Sequence, residues 1–195
     1  YKRYRTQMLS TIFVGYAGYY LVRSNINVAK PYLITELGLS KGDVGLLASA
    51  LTIAYGLSKF LMGNVSDRSN ARYFLATGLI CSGLINVFFG FLPGLGLMVA
   101  FWALNGWFQG MGWPPCGRTM VHWFSDRERG TKMAVWNLAH NVGGMLAPLI
   151  ASYSILYFGT WKSAFFVPAT LSIFIGVLVI FFMRDTPQSV GLPPI

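Results

Sequence analysis

The feature that most constrains this chain is a succession of apolar runs, each long enough to cross a bilayer. A helix spanning about 30 Å of hydrocarbon needs about 20 mostly apolar residues. Six stretches qualify: Met8 to Ala29, Val44 to Met62, Tyr73 to Leu92, Leu97 to Trp123, Met133 to Tyr157 and Ala164 to Met183. Hydrocarbon offers backbone amides no partner, so such runs must close their hydrogen bonds internally, as helices. The residues are 54% hydrophobic and 11% charged, with a mean hydropathy of +0.53, which sets the chain apart from ordinary soluble domains. The expected fold class is all-α and integral to the membrane, with six transmembrane helices.

The net charge is +9, which in a soluble chain would suggest nucleic acid. Here the cations fall mostly in short connections between apolar runs. Lys2, Arg3, Arg5, Arg68, Arg72, Arg127, Arg129, Lys132 and Arg184 fall on one side, against Lys30, Lys41 and Lys162 on the other. Cytoplasmic loops carry the excess of Lys and Arg, so both termini are expected in the cytoplasm, with the lipid bilayer and no nucleic acid as partner. The first run is long and leads into further spans, so no cleavable signal peptide is expected. Cys81 and Cys116 lie in apolar runs and read as small packing residues.

Three cations remain inside the spans: Arg23, Lys59 and Arg118. Every acid, namely Glu36, Asp43, Asp67, Asp126, Glu128 and Asp185, lies in a connection, so none of the three is expected to have a carboxylate partner in this chain. Ionisable groups in a membrane need compensation. A bound substrate, an acid on a missing part of the protein and lipid headgroups are the candidates. Tyr16, Tyr20 and Arg23 are spaced i, i+4, i+7 and share one helical face. Arg23 is seven residues from Lys30, about 10 Å at the helical rise, which favours ligand binding over snorkelling. Its planar fork of donors matches phosphate or carboxylate. Lys59 follows Tyr55 by one turn; snorkelling and ligand binding both stay open for it. Arg118 lies near a charged loop, where snorkelling or an interhelical hydrogen bond is expected.

On the fifth run Asn137, His140 and Asn141 share one stripe, a candidate cavity lining or an interhelical hydrogen-bonding set. Imidazole changes charge near neutral pH, as does a phosphate monoester in its second ionisation, so the two could share a proton. Gln109 and Trp113, one turn apart, could shape the same cavity; Trp102, Trp107 and Trp123 read as lipid-facing, packing or interfacial aromatics. Gly106 and Gly110 form a GxxxG step for close helix packing, as Gly143 and Gly144 could. Pro114 and Pro115 must interrupt the fourth run. No Ser/His/Asp set, HExxH, CxxC or P-loop is present, and His122 alone makes no active site, so an enzyme is not expected, nor a metal or cofactor.

The loop Gly63 to Arg72, with Asp67 and Arg68, resembles the signature of the major facilitator superfamily, although Asn70 stands where glycine is common and the final arginine is delayed. The runs Gly106 to Trp123 and Trp136 to Gly144, and the tail Arg184 to Pro194, resemble the organophosphate:phosphate antiporter family within it, especially its glycerol-3-phosphate branch. The resemblance covers essentially the whole chain. It implies the N-terminal half of a twelve-helix fold: residues 1–195 form one six-helix bundle with the start of the central loop, and the C-terminal bundle is absent. It implies alternating-access exchange of an organic phosphate for inorganic phosphate across the cell membrane. Arg23, Lys59 and His140 match the phosphate-binding or coupling positions, and Tyr16, Tyr20, Tyr55, Trp113, Asn137 and Asn141 match cavity-lining ones. Hexose-phosphate and phosphoglycerate carriers and a non-transporting sensor belong to the same family and are the alternatives.

Overall fold

The six apolar runs become helices in a computed structural model that describes residues 1–195. The first span is α1 (Lys2–Ser24) and α2 (Ile26–Thr35), the second α3 (Lys41–Asp67) and the third α4 (Ala71–Phe89). The fourth is α5 (Leu95–Gln109) and α6 (Trp113–Trp123), the fifth α7 (Asp126–Phe158) and the sixth α8 (Ser163–Phe182), followed by a 3-10 turn over Pro187–Val190.

Two spans are divided, each for a local reason. In the first, Asn25 keeps helical angles (φ −58°, ψ −33°), and Val28 N–H donates to the Asn25 carbonyl at 3.1 Å; this is a tightened step, not a turn. In the fourth, Pro114 and Pro115 open α6, where their missing N–H groups cost nothing. Gly110, Met111 and Gly112 bridge the break with i→i+3 bonds. Consequently α3, α4, α7 and α8 alone are unbroken helices long and apolar enough to cross a membrane, while α5 and α6 reach that length only end to end. The fifth helix begins seven residues before Met133 because Ser125 and Glu128 form a capping box there, satisfying two of the orphan donors of the first turn. Its 33 residues make about 50 Å of helix, more than the bilayer needs.

The bundle pairs α4 with α8, α3 with α5, and α1 with α7 and α8. Gly106 on α5 lies against the backbone of Leu51 on α3, and Gly143 on α7 against that of Ala17 on α1; a side chain at either position would hold the helices apart. One cluster of buried side chains includes Met8, Ile12, Leu75, Trp123, Trp136 and Met183, the other Leu33, Leu47, Phe89, Trp102 and Phe165. Trp102 and Trp123 are therefore packing residues. Gln7 Nε2 donates to the Phe182 carbonyl at 2.7 Å, which sets the start of α1 and the end of α8 at one end of the bundle, as six antiparallel spans require.

The expectation that all three intramembrane cations lack a carboxylate fails at Arg118. Its guanidinium lies 3.2 Å from the Asp185 carboxylate, with both side chains largely buried, and it also donates to the Ser66 carbonyl. Asp185 accepts from the Ala71 amide as well. The chain leaving α8 folds back beneath the last turns of α6, and no local spacing announces a partner 67 residues away.

Candidate functional site

On one side of the bundle, α1, α3, α6 and α7 bring their polar and aromatic residues into a closed circuit. The Arg23 guanidinium carbon stands 4.3 Å from the centre of the Tyr55 ring and 5.8 Å from that of Tyr20. Lys59 Nζ stands 5.7 Å from Tyr55 and 5.8 Å from Trp113. Trp113 meets Trp136 at 6.3 Å between ring centres, Trp136 meets Tyr16 at 4.7 Å, and Tyr16 meets Tyr20 at 5.8 Å. The circuit thus returns to Arg23. His140 joins it through Tyr20, with ring centres 6.1 Å apart.

The helical spacings explain how the residues meet. Tyr16, Tyr20 and Arg23 descend one face of α1, and Tyr55 and Lys59 occupy successive turns of α3. The close approach of α7 to α1 at Gly143 sets His140, one turn earlier, beside Tyr20. Arg23 and His140 are half-buried, and Lys59, Asn137 and Asn141 are exposed. Trp113 is 40% exposed and Tyr16 only 8%, so Tyr16 forms the floor of the circuit and Trp113 its rim.

Electrostatically the face is unbalanced. The ion pairs of the chain join Arg5 to Glu128, Arg118 to Asp185 and Arg129 to Asp126; Arg23 and Lys59 pair with no acid. Aromatic faces are their neighbours, and a ring quadrupole attracts a cation without neutralising it. The two cations also line different hollows. Lys59, Trp113, Arg118 and His122 border a cavity of about 590 Å³. Arg23, Asn27, Lys30 and Thr52 border one of about 190 Å³. Tyr55, between Thr52 and Lys59 on α3, separates them. Arg23 offers its hollow a planar fork of donors, and Lys59 offers the other a point charge.

Gln109 departs from expectation. It is 4% exposed and donates to the Tyr19 carbonyl at 3.1 Å, inside the bundle; the break at Gly110 to Gly112 takes Trp113 out of its register. Trp136 is a circuit member that sequence reasoning missed. The available signal was its place one turn before His140, on the same stripe.

Residues 12–194 match the model of the family described as the Major Facilitator Superfamily. The chain is 58% identical over 200 residues to a glycerol-3-phosphate transporter of Bacillus subtilis (strain 168), covering 100% of this chain and 45% of that protein. It is 48% identical over 195 residues to a probable hexose phosphate transport protein of Chlamydia muridarum (strain MoPn / Nigg), covering 100% and 42%. The chain therefore spans less than half the length of these relatives. In fold it is similar to the crystal structure of a bacterial homolog of the human lysosomal transporter Spinster, inward-facing and unoccupied. There the TM-score is 0.86 at 18% identity, over 96% of this chain and 45% of the other.

Proposed function

The chain belongs to the major facilitator superfamily, and from that premise we propose that it is the N-terminal six-helix half of a carrier exchanging an organic phosphate, foremost glycerol-3-phosphate, for inorganic phosphate. The observation that carries this reading is the pair of cations, Arg23 and Lys59, that share Tyr55 and form no ion pair. Similarity to transporters of glycerol-3-phosphate and hexose phosphate supports the choice of anion.

In this reading a second six-helix half covers the open face and supplies a facing cation. Tyr16, Tyr20, Tyr55, Trp113, Asn137 and Asn141 line the cavity, and His140 offers its imidazole to the bound phosphate. Without an anion the facing cations repel one another and resist closure. A bound phosphate neutralises them, which lowers the barrier to rocking one half against the other. Both termini and the central loop lie in the cytoplasm and the carrier in the cell membrane; the excess of Lys and Arg at that end of the bundle supports this orientation.

The test is counterflow in proteoliposomes of the full-length protein loaded with phosphate, with glycerol-3-phosphate, a hexose-6-phosphate and phosphoglycerate offered outside. Exchange fastest with glycerol-3-phosphate is expected. Preference for another member of the panel changes the substrate within the same mechanism. Binding without exchange overturns transport and leaves an organophosphate sensor.

A further inference from the structure

Behind Arg23, away from the open face, lies a group of buried amides that the site above does not use. Asn86 on α4 donates its Nδ2 to the Val22 carbonyl at 3.0 Å, and Asn105 on α5 donates to the same oxygen at 2.9 Å. Gln109 donates to the Tyr19 carbonyl, one turn earlier, at 3.1 Å. Asn25 holds the arrangement in orientation. Its Nδ2 reaches both the Asn86 Oδ1 and the Ala164 carbonyl at 2.9 Å, so the oxygen of Asn86 is occupied and its amide nitrogen is turned toward α1. All four side chains are buried, Asn25, Asn86 and Asn105 fully.

We infer that this amide clamp is a positioning device for Arg23, a role that rests on the reading of Arg23 as the phosphate ligand. Val22 is the residue immediately before Arg23, and the tightened step at Asn25 comes two residues after Arg23. A helix advances about 100° per residue at 3.6 residues per turn, so slack at that step would swing the guanidinium off the face it shares with Tyr20. Nothing on the site side restrains it: Arg23 has aromatic neighbours and no carboxylate. A bidentate contact tolerates misplacement of only about 0.5 Å and 10–20°. Three amides drawn from α4 and α5 fix the azimuth and depth of this turn of α1 from behind.

A purely structural tie explains the group less well. Asn25 Oδ1 and Asn105 Oδ1 are buried and receive no donor from the protein, which is costly in a low-dielectric interior. An apolar side chain of similar size would pack there without that cost, so what these positions require is the donated N–H.

The experiment uses the full-length protein in proteoliposomes with inorganic phosphate as the probe. Asn105→Leu removes the donor together with the unpartnered oxygen, so the fold is expected to be kept. The KM for phosphate should rise about tenfold while the maximal exchange rate changes less than twofold. Ser172→Ala removes a buried hydrogen bond from α8 to the Leu79 carbonyl that involves neither Val22 nor any of the clamp amides, and should leave KM unchanged. If Asn105→Leu does not fold, Asn105→Ser, still polar but too short to reach Val22, should give the same rise. An unchanged KM in the Asn105 variant, or an equal rise in Ser172→Ala, overturns the clamp. Absence of phosphate exchange in the unaltered protein overturns the proposed function instead.

Discussion

Gly143 and Gly144 are neighbours in the middle of α7 with opposite surroundings, and a methyl group added to each should have opposite consequences. A Cβ at Gly143 would stand 2.5 Å from the Ala17 carbonyl oxygen, 2.9 Å from Tyr20 Cβ and 3.0 Å from Ala17 Cα, whereas one at Gly144 meets nothing within 4 Å. Ordinary contact begins at 3.4 Å, so α7 must retreat from α1 by about 0.9 Å to admit alanine at Gly143. The obstacle is backbone, which no rotamer change can move. Overpacking of this kind costs about 1–3 kcal/mol. The retreat also draws His140 and Trp136 away from Tyr20 and Tyr16, loosening the circuit around Arg23. Gly144→Ala should instead stabilise α7 by roughly 0.5–1 kcal/mol, since glycine is the poorer helix former. Thermal unfolding in detergent, with phosphate affinity read from tryptophan fluorescence, measures both effects. A Gly143→Ala protein that melts with the unaltered one and binds phosphate equally well would refute the close approach of α1 and α7.

Arg23→Lys keeps the charge and loses the planar fork. Losing one charge-assisted hydrogen bond costs about 1.5–3 kcal/mol, so phosphate affinity should fall roughly 10- to 150-fold; a change under threefold in equilibrium binding would deny Arg23 its role. His140→Ala removes the imidazole beside Tyr20 and should weaken phosphate binding several-fold in the same assay; an unchanged affinity leaves His140 a packing role only. Asp185→Ala strands the Arg118 guanidinium and the Ala71 amide in a largely buried site and should lower stability by about 3 kcal/mol. Restoring melting by pairing it with Arg118→Met would confirm that the stranded charge causes the loss.

The spans, their number and the cationic stripe were legible because each depends on residues close in sequence. Tyr16, Tyr20 and Arg23 sit on one helix, as do Tyr55 and Lys59, and helical periodicity alone aligns them. What stayed hidden depends on tertiary return. The Arg118–Asp185 pair joins residues that no periodicity relates. Gln109 and Trp113, one turn apart by count, part company because the glycines before Pro114 change the register by an amount that helical periodicity does not give. Trp136 carried a spacing signal but stood among six tryptophans, most of which serve packing. The amide clamp could not be read at all, since Asn86 and Asn105 are single polar residues whose meaning comes from the one carbonyl they share.

Magnitudes explain why the aromatic circuit does not make an anion superfluous. A Lys or Arg at the centre of a membrane helix costs about 2.5–3.5 kcal/mol on insertion scales, and each cation–π contact returns about 0.5–1 kcal/mol at an open site. Arg23 and Lys59 each touch two rings, so each recovers part of its cost and keeps a deficit. Carboxylates in their place would close that deficit permanently, as Asp185 does for Arg118, and would leave nothing for a ligand to gain. Rings instead offset part of that cost while leaving the charge of the cations uncancelled. Arg118, paired at one end of the bundle, therefore braces the fold, whereas Arg23 and Lys59, unpaired along its open face, keep the uncancelled charge on which the proposed anion site rests.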